Sequence, residues 1–175
     1  MSQSVLRDEF CNFAAAKLRG NLAKIEKCLA LLSIDQVWSR PNPVSNAIGN
    51  LVLHLNGNVR LLIVKSIGGF DFTRDRAAEF AQRDPLPVEQ ILRPLQQTVE
   101  QACQVIAGLS AERLGERIKV MGDDDSILAA VFLVVEHFSL HTGQIIYQTK
   151  TLTGFDLSQY DSQGRRLDGR PPGTP

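Results

Sequence analysis

DSILAAVFLVVEHFSLHTGQIIYQTKTLTG, residues 125–154, reads as one long helix. The run Asp123-Asp124-Asp125 stands just ahead of it, with Asp125 or Ser126 as N-cap, and negative charge there suits the positive end of a helix. Gly154 marks the stop, so the helix is expected to run to about Leu152. It is the least polar segment of the chain, which predicts that it is the most buried helix. Its most apolar part, 127–135, is too short to span a bilayer and meets Glu136 and His137 at once. It therefore predicts a core helix and no membrane association.

The same period recurs towards the N-terminus. Phe10, Phe13, Leu18, Leu22, Ile25, Leu29 and Leu32 keep one face apolar and predict a first helix over about residues 4–32, with Gly20 a weak spot. A connector with Trp38 and two prolines, Pro41 and Pro43, follows. Ser45 is a good N-cap for a second helix carrying Ile48, Leu51, Leu55, Val59, Leu62 and Ile63, which Gly68-Gly69 ends. Residues 69–86 show no sustained period; they predict a loop holding Phe70 and Phe72, with a short helix around 77–82. Pro87 suits the first turn of a third helix, whose stripe is Ile91, Leu95, Val99, Cys103 and Ile106 up to Gly108. Pro94 is expected to kink it or move its start. Residues 110–125 read as polar and irregular.

Four long helices without strand alternation predict an all-α four-helix bundle over residues 1–155, followed by a polar Gly/Pro-rich tail, 156–175. The connection between helices 2 and 3 is about eighteen residues long. At ~3.3 Å per residue it can cross the whole bundle, which permits those two helices to run in the same direction.

Composition narrows the function. A chain of 175 residues with 43% apolar content fits one folded domain. Its 19 basic and 19 acidic residues cancel, so it has no general attraction for nucleic acid. The nearest basic cluster, Arg165, Arg166 and Arg170, lies in the tail beside aspartates. The N-terminus MSQSVLRDEF lacks the pattern of a signal peptide. Cys11, Cys28 and Cys103 are odd in number, form no CxxC pair and fall in apolar helical stretches. They read as reduced core thiols, and the compartment as cytoplasmic.

The three histidines carry the chemistry. His137 and His141, four apart on helix 4, present both rings on one face, one turn apart. His54 sits on the edge of the apolar stripe of helix 2, about 20 Å from its C-terminal end at ~1.5 Å rise per residue. His137 and His141 lie about 17 and 22 Å from the start of helix 4. If the two helices are antiparallel, all three rings meet at one level. Three neutral imidazoles leave coordination positions open, as in catalytic rather than structural sites, and they suit zinc, nickel, iron or copper. Asn58, one turn after His54, and Gln144, three after His141, are candidates to orient a ring or a bound water. Glu136 points about 100° away from His137 and reads as a residue facing a neighbouring helix or solvent. EHFSLH is neither HExxH nor HxxEH, so no zinc-peptidase motif is present. The plain alternative is that the histidines only satisfy hydrogen bonds in the core.

NAIGNLVLHLNGNVRLLI, with His54 at its centre, resembles the second helix of DinB-like proteins, and VVEHFSLHTGQIIYQTK, with His137 and His141, resembles their fourth. The likeness runs from helix 1 to about Leu152. It implies a bundle with a long crossover between helices 2 and 3, and His54, His137 and His141 as ligands of a divalent metal. Nickel or zinc is the ion implied first, with iron or manganese also compatible. It implies a small-molecule substrate, with a low-molecular-weight thiol as co-substrate in some relatives, and a homodimer. Arg60 is a candidate for holding an anionic group at the site mouth, or else faces solvent. The expected function is a metal-dependent transferase or hydrolase; the alternatives are a metal- or ligand-sensing module without turnover, and a purely structural bundle.

Overall fold

The computed structural model describes residues 2–120, 122–157 and 161–163. Most of the expected tail, including Arg165, Arg166 and Arg170, lies outside the described residues.

Four long helices form the bundle: α1 (Gln3–Leu29), α3 (Ile48–Val59), α5 (Val88–Ala107) and α7 (Ile127–Thr153). Three short ones join them: α2 (Ile34–Trp38), α4 (Arg76–Ala81) and α6 (Ala111–Gly115). Each long helix packs against two others, α1 and α3 both lying between α5 and α7. Side-chain pairs give the directions. Asn56 meets Thr98 and Gly68 lies against Val105, so α3 and α5 are parallel. Asn21 meets Ser139 and Lys27 reaches the carbonyl of Leu157, so α1 and α7 are parallel too. His54 meets His137 and Gln148 meets the Asn46 carbonyl, so α3 and α7 are antiparallel. The crossover from α3 to α5 therefore spans the bundle, as its length permits. The core it encloses includes Leu18, Ile25, Leu55, Ile63, Leu95 and Phe138, none more than 1% exposed.

Several local expectations are corrected. Ser45 does not cap α3: its N–H and hydroxyl are both taken by the side-chain oxygen of Asn42 in a turn, and the helix opens from Ala47 with no side-chain cap. Beyond Val59 the helix widens into a π-helical stretch, Arg60–Lys65, before Gly69 ends it at φ 76°. Pro87 takes the N-cap position of α5 rather than its first turn, and Pro94 lies inside the helix without displacing its start. The carbonyl that Pro94 cannot bond is that of exposed Gln90, which water can satisfy. The stretch after α5 is not irregular: α6 is followed by β1 (Arg117–Val120) and β2 (Asp123–Ser126), which pair antiparallel. Aspartate is a poor strand former, but here Asp124 stands opposite Lys119 and 3.3 Å from Arg117.

α7 opens at Ser126, whose hydroxyl accepts the Ala129 N–H, and closes at Gly154 in the left-handed region at φ 66°. It is not buried all round. Phe132, Leu140 and Tyr147 are 63%, 54% and 74% exposed, because of the long helices only α1 and α3 pack along α7, and two neighbours leave its outward face uncovered among the described residues. By length and composition it is apolar enough to cross a membrane, yet one face packs along the bundle and buries Thr142 and Thr149.

The crossover is pinned at several points. The indole of buried Trp38 donates to the Leu86 carbonyl at 3.0 Å. The Asn50 amide donates to the carbonyls of Glu79 and Gln82, and Arg40 also reaches Gln82. These bonds fasten α4 along α3, beside His54.

Candidate metal centre

The antiparallel packing of α3 on α7 brings His54 opposite His137 and His141, so the matching depths read from helix rise are met. Candidate ligand nitrogens of the three rings all lie within 4.8 Å of one another. The ring centroids are 4.5–5.1 Å apart, and the planes are close to perpendicular. Nε2 of His54 is 2.9 Å from Nε2 of His137. That is about the spacing of two imidazoles sharing an ion at ~2.0–2.1 Å each. His54 is buried; the other two are half-buried, leaving the group open on one side.

Hydrogen bonds decide which nitrogen each ring can offer. Nδ1 of His54 lies 2.9 Å from a carboxylate oxygen of buried Glu79. A guanidinium nitrogen of Arg74 is also 3.0 Å from Nδ1, but it has its own acceptor in Glu79 at 2.8 Å. A carboxylate accepts only, so the arrangement is consistent if His54 donates Nδ1–H to Glu79 and keeps the lone pair on Nε2. Nδ1 of His141 pairs with the side-chain oxygen of Gln144 at 2.7 Å, and that ring too is left with a free Nε2. Three candidate ligand nitrogens within 4.8 Å of one another, with Nδ1 of two rings engaged elsewhere, are a set of residues that fits a divalent ion.

Gln144 thus occupies the orienting position expected of it. Asn58 does not orient a ring; its side-chain oxygen is, among the described residues, a buried polar atom without a partner, one turn from His54. A donor brought in with an ion or a substrate would satisfy it. Glu136 is exposed, as expected. The guanidinium of Arg60 lies over the Phe72 ring at 4.6 Å. Besides Arg74, the cation near the centre is exposed Arg76, stacked on Phe80, whose ring packs 4.8 Å from that of His54. The burial of Cys11, Cys28 and Cys103 agrees with their reading as core thiols; burial pushes each thiol up, that of Cys103 to about 11.

Arg74, Glu79 and Phe80 were not identifiable from the sequence. They sit in an aperiodic segment, and only the expectation of a short helix near residues 77–82 pointed to structure there. Nothing local says which side of a six-residue helix will meet a histidine 25 positions away.

Burial, then the neighbouring His141 and His54, then Arg74 and Arg76, push the His137 pKa from 6.5 down to about 4. Burial also lowers that of His54, against an opposing pull from Glu79. Both rings are therefore neutral at pH 7 and able to bind metal. An unfolded chain protonates His137 near pH 6.5, whereas the fold resists until about 4, so the unfolded state binds more protons in between. The metal-free protein should keep this contribution above about pH 6.5 and lose stability progressively towards pH 4. Melting temperatures at pH 7.5 and 5 check this, with His137→Ala expected to fall less; equal slopes in the two proteins would contradict it.

Comparison with known proteins agrees with this architecture. A crystal structure described as a conserved protein of locus from Enterococcus faecalis is similar in fold, with a TM-score of 0.67 over 82% of this chain and 97% of that one, at 14% identity. That likeness speaks for the fold alone. No curated protein matches the chain significantly. Residues 6–161 match the family described as "Protein of unknown function (DUF1572)". This metal-competent helical bundle therefore belongs to the DUF1572 family.

Proposed function

We propose that this is a DinB-like, metal-dependent enzyme of the thiol-transferase or hydrolase type, with His54, His137 and His141 as ligands of a divalent ion, nickel or zinc before iron or manganese. The observation that carries the reading is the meeting of three imidazoles whose candidate ligand nitrogens lie within 4.8 Å of one another, with Nδ1 of two rings engaged by Glu79 and by Gln144. Three protein ligands leave positions open, the pattern of a centre that takes a substrate. A divalent ion held there would supply Lewis acidity, lowering the pKa of a thiol or water and polarising an electrophile.

The surroundings suit a small molecule. An open cavity of about 580 Å³ is lined by Leu51, Leu140, Tyr147 and Gln148 among others, and by Gln144, the hydrogen-bond partner of His141. Its wall is apolar with amide groups, while Arg76 offers a positive charge on the His54 side for an anionic end. The test is turnover. Protein loaded with nickel or zinc is assayed with small thiols plus an electrophile, and separately with activated esters. Activity should vanish in chelator and in His54→Ala. Tight metal binding with no turnover in either assay would replace this reading with a ligand-holding or sensing module.

A further inference from the structure

Burying a carboxylate and a guanidinium removes both from water, and the pair recovers that loss only with good geometry. Arg74 and Glu79 meet this condition: their side chains are 6% and 9% exposed, and Arg74 grips both carboxylate oxygens, at 2.6 and 2.8 Å. The pair is not needed to fasten α4, since Asn50 and Arg40 already hold the backbone carbonyls of Glu79 and Gln82. What it does contact is His54. α3 also makes room for it. A Cβ at Gly57 would overlap a Glu79 carboxylate oxygen and stand 2.9 Å from its carboxyl carbon. Glycine in a helix interior is less stable than alanine, and here the missing side chain is the seat of the carboxylate.

We infer that Glu79 is a positioning residue of the metal centre, and that the crossover segment is thereby part of the site. Clamped by Arg74 and seated over Gly57, its carboxylate holds His54 in the Nδ1–H form, aims Nε2 at the ion and raises the ring's donor strength. Arg74 keeps the carboxylate turned towards the ring. The inference rests on the metal reading above, and its test separates the two.

Cobalt(II) serves as the probe, because its visible bands report ligand geometry. Affinity is measured by competition with a chromophoric chelator, on wild type, Glu79→Gln and Gly57→Ala. Glu79→Gln keeps the size and removes the charge; affinity should fall ~10–100-fold, with shifted cobalt bands. Gly57→Ala leaves every ionisable group in place and only displaces the carboxylate; it should move both readouts in the same direction, and it stands as the test if Glu79→Gln does not fold. Wild-type affinity and bands in folded variants, with only a lower melting temperature, would overturn the inference and leave a structural salt bridge. Wild-type protein that takes up no cobalt would overturn the metal reading itself, and the inference with it.

Discussion

His137→Ala should leave a folded protein that no longer holds a stoichiometric metal. The ring is half-buried and lies on the open side of the group, and alanine is the best helix former, so α7 keeps its packing through Val134, Phe138 and Ile145. The two imidazoles that remain, His54 on α3 and His141 on α7, cannot replace the lost Nε2, which stands 2.9 Å from that of His54. The affinity loss should exceed the ~10–100-fold that removal of an outer hydrogen-bond partner costs. Elemental analysis by plasma mass spectrometry, beside a far-ultraviolet dichroism spectrum, reads both halves of the expectation. One tightly bound metal per chain in the variant would refute the ligand assignment.

The next residue should behave in the opposite way. Phe138 has no exposed surface and points into the core, about 100° round the helix from His137. Phe138→Ala should cost about 3–5 kcal/mol, part lost transfer energy and part the cavity left behind. For a domain of this size that is a fall of roughly 10 °C in melting temperature. Metal loading should persist below that temperature, because no ligand is touched. A fall of only a degree or two would mean that the core around α7 collapses readily into the space. Adjacent residues with separable effects, one on metal and one on stability, would show that a single helix serves both the core and the site.

Much of this was legible before any coordinates. The periods of the four long helices, the ends at Ser126 and Gly154, and the crossover long enough to let α3 and α5 run parallel all follow from local chemistry and chain length. So does the convergence of the histidines, because helix rise converts sequence position into depth. Elsewhere the local signals misled. Ser45 had the right chemistry for a cap, but Asn42 competed for it. The acidic run suited a helix N-terminus, but the basic strand 117–120 drew it into a hairpin.

The sequence by itself therefore determined the helices, their period and the face of its helix on which each histidine stands, because each of these depends on neighbours within one or two turns. Only the tertiary structure decided how those groups are tuned. Whether an apolar residue of α7 is buried depends on which helices flank it, and two flanking helices cannot cover a full cylinder. Whether His54 presents Nε2 depends on a carboxylate brought from 25 residues away, on the arginine that holds it, and on the space left by Gly57. Such contacts form between segments whose own patterns do not refer to each other, and the bundle has to assemble before they exist.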